Sequence, residues 1–194
     1  MPTFHETHAD RLNAVLVVID VQARLAGVMA ERDAVIQATT RLVRTFGLVG
    51  APLVVTRQYP AGLGETVPEV EEALLELARD GTRVSGVDKM AFCAACDHDF
   101  SDALSGTGRR QVVLAGMETH ICITQTALTL LVQGYQVQVV ADACCSRNAN
   151  DHAVALDRLR AAGVVVTTSE SVMYELVGTA GTDEFKSLLR IVKG

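Results

Sequence analysis

Tryptophan is absent, and aromatic residues make up only 4% of the chain. So few rings exclude a base-stacking platform for single-stranded nucleic acid. Clustered cations are missing too: 17 Lys and Arg stand against 23 Asp and Glu, for a net charge of −6. That balance offers no attraction to nucleic acid or to an anionic membrane surface. No apolar run approaches the roughly 18 residues that a membrane-spanning helix needs. The opening segment MPTFHETHADR carries acids and lacks an apolar centre, so no secretory signal is expected. His5, His8, His98, His120 and His152 show no metal-ligand spacing. The five cysteines are odd in number, and reduced thiols in a cytoplasmic setting are expected.

What is present is a globular composition, 49% hydrophobic and 21% charged over 194 residues, which suits one domain spanning 1–194. Apolar runs at 14–19, 53–56, 82–87, 111–115, 136–140 and 164–167 read as strands. Helical spacing covers 34–48, 69–79, 99–104, 119–133, 150–162, 169–176 and 183–192, and the Gly- and Pro-rich stretch 57–68 reads as a loop. The run AVLVVI at 14–19 is apolar on both faces, as in the middle of a parallel sheet. The alternation predicts an α/β fold, a three-layer α/β/α Rossmann-like sandwich around a mainly parallel six-stranded sheet.

Such sheets bind ligands beyond the carboxyl ends of their strands. The residues at those ends are Asp20, Gln58, Lys89, Cys122 and Asp142. Cys122 lies in Gly116-Met117-Glu118-Thr119-His120-Ile121-Cys122, directly after the strand at 111–115. With Thr119 as cap, the thiol falls in the first turn of a helix, where free N–H groups and the helix dipole favour thiolate. An inert buried thiol is the competing reading. Asp20 and Lys89 read equally as a structural ion pair or as an acid/base with its electrostatic partner.

VVIDVQ at 17–22, KMAF at 89–92 and GMETHIC at 116–122 resemble the three signatures of the isochorismatase-like cysteine hydrolases. The stretches TRQYPAGLGETVPE and ADACCSRNANDHAVALDRLRAAGV resemble most the subgroup of isochorismatase-domain-containing hydrolases. The resemblance implies Cys122 as nucleophile, Asp20 as acid/base and Lys89 as their partner. It also implies a cis peptide between Met117 and Glu118, and an oxyanion hole from the backbone amides of Glu118 and Cys122. A small-molecule substrate and a homo-oligomer follow from the same likeness. Two departures narrow it. Nicotinamidases of this superfamily carry an Asp/His metal cluster after the second strand, where this chain has Arg57-Gln58-Tyr59-Pro60, so neither metal nor cofactor is expected. Isochorismatases proper lack the nucleophilic cysteine, so Cys122 argues against that activity. An idle oligomeric scaffold or binding module is the alternative from another class.

Gln58, Tyr59 and Phe92 are candidates for the substrate pocket, as is Gln22, which could orient Asp20. His120 reads as a surface or interface residue beside the oxyanion turn, and Asp142 with Arg147 as a loop ion pair. Cys93 and Cys96 have CxxC spacing but no second pair, so buried or pocket-wall thiols are favoured over a metal or redox site. The adjacent Cys144 and Cys145 read as small core residues.

Overall fold

The computed structural model of the chain describes residues 5–193. In chain order the elements are β1 (Ala14–Ile19), α1 (Ala23–Ala26), α2 (Arg32–Leu48), β2 (Leu53–Gln58), α3 (Pro60–Leu63), α4 (Pro68–Arg79) and β3 (Val84–Lys89). A 3₁₀ turn (Ala94–Cys96) leads to α5 (His98–Ser105), β4 (Gln111–Met117) and a π-helical turn (Thr119–Ile123). The chain closes with α6 (Thr124–Val132), β5 (Gln136–Cys145), α7 (Ala149–Ala161), β6 (Val165–Thr167), α8 (Ser169–Val177) and α9 (Asp183–Lys193).

The six strands lie in the order β3-β2-β1-β4-β5-β6, and all five pairings are parallel. Side chains alternate across the pleat. Leu16 and Val18 join one buried layer with Val35, Leu42 and Phe46 of α2 and Val172 and Leu176 of α8. Val15, Val17 and Ile19 join the other, with Phe100 of α5, Leu130 of α6 and Leu159 of α7. Each such side chain contributes about 1.5–3 kcal/mol on burial, which explains why the fully apolar β1 takes the centre.

This order places the chemistry. The chain winds from β1 out to β3, returns, and winds from β4 out to β6, so the sheet reverses direction between β1 and β4. A crevice opens at the carboxyl ends at such a reversal. Asp20 lies just past β1, Lys89 ends β3, and Cys122 follows β4.

Several boundaries differ from those expected. β3 runs two residues past the expected Val87, so Lys89 is its last residue. Gln58 likewise belongs to β2, not to a loop, and α3 interrupts the stretch 57–68. β5 continues beyond Val140 to Cys145, because Cys144 and Cys145 pair with Gly116 and Met117 after a register shift. Asp142 therefore lies within a strand. Its carboxylate accepts from Ser169 N and Oγ at the start of α8 instead of pairing with Arg147. The helix expected over 119–133 begins as the π-helical turn; the Thr119 hydroxyl meets the His152 ring at 2.9 Å and does not cap it.

Candidate active site

Gly116 sets the approach to the site. Its φ is +129°, and a Cβ there would sit 1.9 Å from the Ile19 carbonyl oxygen. Only glycine lets β4 run so close against the end of β1. The chain then crosses a cis Met117–Glu118 peptide and enters the turn that carries Cys122. The Glu118 carbonyl accepts from Ile121 N at 3.1 Å and Ile123 N at 3.3 Å, closing the turn around the thiol.

Asp20 is fully buried and has φ +53°, a conformation rare for residues with a Cβ. Its N–H donates to the Thr56 carbonyl at 3.1 Å, and its own carbonyl accepts from Gln22 N at 2.8 Å. Its carboxylate is held at both oxygens. Thr56 Oγ1 donates to Oδ1 at 2.7 Å, and Lys89 Nζ to Oδ2 at 2.7 Å. Lys89 donates also to Gln58 Oε1 at 2.8 Å and to the Ala91 carbonyl at 3.2 Å. Those three acceptors match the three N–H bonds of an ammonium. The Cys122 Sγ, 3.9 Å from Nζ, feels the cation mainly as a charge.

Cys122 is only 5% exposed. Burial, and after it the negative charge of Asp20, push its thiol up to about 12; the Lys89 cation and the Glu118 backbone amide pull the other way and lose. The thiolate expected from the helix terminus is therefore not the resting form. What the site holds is a protonated thiol beside a carboxylate able to receive its proton.

Gln22 and Gln58 are scaffold and do not present free amides to a ligand. Gln22 is fully buried, accepts from Gln58 N and donates to the carbonyls of Gln58 and Gly64. Gln58 spends its oxygen on Lys89 and its nitrogen on the Met90 carbonyl. Tyr59, whose N–H donates to the Lys89 carbonyl, stands half exposed. Phe92 and Met90 are also exposed, on the loop that leaves Lys89. Arg147 pairs with the buried Glu118 carboxylate, through its backbone N at 2.8 Å and its Nε at 3.1 Å. His120 Nδ1 meets Ser146 Oγ at 2.8 Å. Thr56 has no more signal in the sequence than a hydroxyl closing the apolar run LVVT, and its role shows only in the fold. Among the described residues, no three His, Cys, Asp or Glu side chains gather where they could hold a metal ion.

Residues 14–171 match the isochorismatase domain family. The chain belongs to that family. Among curated isochorismatase relatives, it is 37% identical to the "secreted isochorismatase effector Isc1" of Phytophthora sojae, over 93% of this chain and 85% of that one. It is 38% identical to isochorismatase domain-containing protein 1 of Salmo salar, over 92% of this chain but 60% of the longer relative. Among solved isochorismatase-fold structures, the MAR1 ribonuclease of Caenorhabditis elegans superposes with a TM-score of 0.87 at 33% identity, covering 96% of this chain and 93% of that one. The Escherichia coli YcaC gene product, described as an octameric hydrolase of unknown specificity, gives 0.85 at 25% identity, covering 97% and 92%.

Proposed function

We propose that this isochorismatase-family chain is a cysteine hydrolase of a small amide or related C–N bond. The observation that carries the reading is the buried convergence of Asp20, Lys89 and Cys122 at the carboxyl ends of β1, β3 and β4. Making a free thiolate at neutral pH from a thiol held near 12 would cost roughly 7 kcal/mol. Transfer of the proton to Asp20 as the sulfur attacks avoids that separate cost. The sulfur bonds to the substrate carbonyl carbon, and the backbone amides of Glu118 and Cys122 receive the oxyanion. Asp20 passes its proton to the leaving nitrogen as the C–N bond breaks. It then takes a proton from water as the water oxygen attacks the thioester, and returns that proton to the departing Cys122 sulfur as the C–S bond breaks and the acid is released. Lys89 keeps its charge and holds the Asp20 carboxylate in place throughout.

Tyr59 and Phe92, exposed beside Lys89, would wall the substrate's entrance. The burial of the three reacting groups supports a small substrate. The net charge of −6 gives RNA no attraction, so the ribonuclease name of the nematode neighbour does not move the reading. The octameric bacterial neighbour supports a homo-oligomer. No described helix is long and apolar enough to cross a membrane. The five free cysteines favour a reducing, cytoplasmic setting, although one relative is named as secreted. One domain over 1–194 accounts for the element order. The raised thiol favours one rival, an idle scaffold that keeps the constellation without using it. A panel of small amides, ureides and carbamoyl compounds separates the two. Hydrolysis by the native chain that is lost in Cys122→Ala supports the hydrolase. Hydrolysis that persists in the variant, or none from any compound, overturns it.

A further inference from the structure

The 3₁₀ turn after β3 brings together two thiols that the proposed reaction does not use. Cys93 and Cys96 are joined by one closed turn, with Cys96 N donating to the Cys93 carbonyl at 3.2 Å. Their sulfurs lie 2.8 Å apart, inside the ordinary contact distance of two sulfur atoms. Cys96 is exposed and Cys93 buried. Cys93 Sγ also touches Thr129 Oγ1 at 3.3 Å and the Gln125 carbonyl at 3.7 Å, both on α6. Its neighbour Ala94 donates its N–H to Thr126 Oγ1 at 2.9 Å on the same helix. One sulfur is thus anchored in the protein and the other faces solvent.

We propose that Cys93 and Cys96 form an oxidisable dithiol that closes reversibly to a disulfide under peroxide. A disulfide needs its sulfurs at about 2.05 Å, and these two already stand 2.8 Å apart on one closed turn. The steps balance. Hydrogen peroxide oxidises one thiol to a sulfenic acid and leaves one water. The second thiol attacks that sulfur, the S–S bond forms, and a second water departs. Two thiols and one peroxide give one disulfide and two waters; a dithiol reductant takes the electrons back the other way. Cys122, Cys144 and Cys145 are all buried, so peroxide in water meets Cys96 first. The site is a device of this chain's own loop: it depends on no substrate and stands whether or not the proposed hydrolysis does.

The test is a peptide map of the full chain after limited hydrogen peroxide, quenched with iodoacetamide under unfolding conditions. Trypsin releases 90–109, which holds Cys93 and Cys96, apart from 111–147, which holds the other three. The expected product is a 90–109 peptide that has lost two hydrogens and takes no alkyl group, beside a 111–147 peptide carrying three. Dithiothreitol restores two alkylation sites to 90–109. Cys96→Ser abolishes the two-hydrogen loss, and Cys122→Ala retains it. Two alkyl groups on 90–109 at a peroxide level that already oxidises 111–147 would overturn the proposal. So would over-oxidation of Cys96 with Cys93 still free.

Discussion

Lys89 Nζ lies 2.7 Å from Asp20 Oδ2, and both side chains are shut off from solvent. Burying such a pair brings little net stability, because desolvation offsets most of the attraction, but breaking it leaves one charge stranded. Lys89→Met should therefore lower the unfolding free energy by about 3–5 kcal/mol. Asp20→Leu with Lys89→Met together should recover much of that loss while leaving the chain inactive. Urea unfolding of the single and double variants checks this. A single variant as stable as the native chain would show that the pair is not held as described.

Alkylation reports the state of the nucleophile. With the Cys122 thiol held up to about 12, its reaction with iodoacetamide should climb steadily through the alkaline range and not level off near 9. Cys96, the exposed thiol, should label first at neutral pH. Removing the Asp20 charge leaves burial, the largest cause, but takes away the next largest that raises Cys122. In Asp20→Asn the Cys122 profile should therefore move to lower pH even as turnover is lost. A profile in the native chain that levels off below pH 8 would contradict the raised thiol.

The same burial links stability to pH. Cys122, Cys144 and Cys145 all keep their protons in the folded chain beyond the ordinary thiol range, chiefly because they are desolvated. Unfolded, these thiols ionise near 8.5, so between about 8.5 and 12 the folded chain binds more protons than the unfolded one. Their stabilising contribution is thus complete below about 8.5 and falls as pH rises through that window. The urea midpoint should decline there, and less steeply in Cys145→Ala. An equally steep decline in that variant would remove Cys145 from the account.

Gly116→Ala tests the packing that aims the turn. The new Cβ would collide with the Ile19 backbone and would also need a φ that side chains disfavour. A loss above about 4 kcal/mol is expected, because neither backbone can yield cheaply. Retention of native stability would mean that β4 can leave β1 without cost.

Asp20 and Lys89 stand just past apolar runs and Cys122 in the turn that follows one; the resemblance to the isochorismatase-like hydrolases singled out the three, and the strand order brings them together. The parallel sheet was legible in the alternation of runs. Hidden from the sequence was everything set by partners distant along the chain. Gln22 and Gln58 look like free amides until Gly64 and Met90 are seen to occupy them. Along the sequence Asp142 is the nearer partner for Arg147, whereas the fold brings it to Glu118. The extension of β5 through ADACC depends on pairing after a register shift that no local preference announces. A helix terminus favours a thiolate through its local dipole alone. Burial and a carboxylate from another strand, neither of them local in sequence, are together larger.

The proposed hydrolysis runs through a covalent acyl-enzyme on Cys122. Its most direct test is rapid acid quenching of the chain during turnover of a hydrolysed amide, followed by mass mapping of the 111–147 peptide. An added acyl mass on Cys122 is expected, and in Cys122→Ala a fall in turnover of about a million-fold with no adduct. An acyl group on another residue, or turnover that survives in Cys122→Ala, would contradict it.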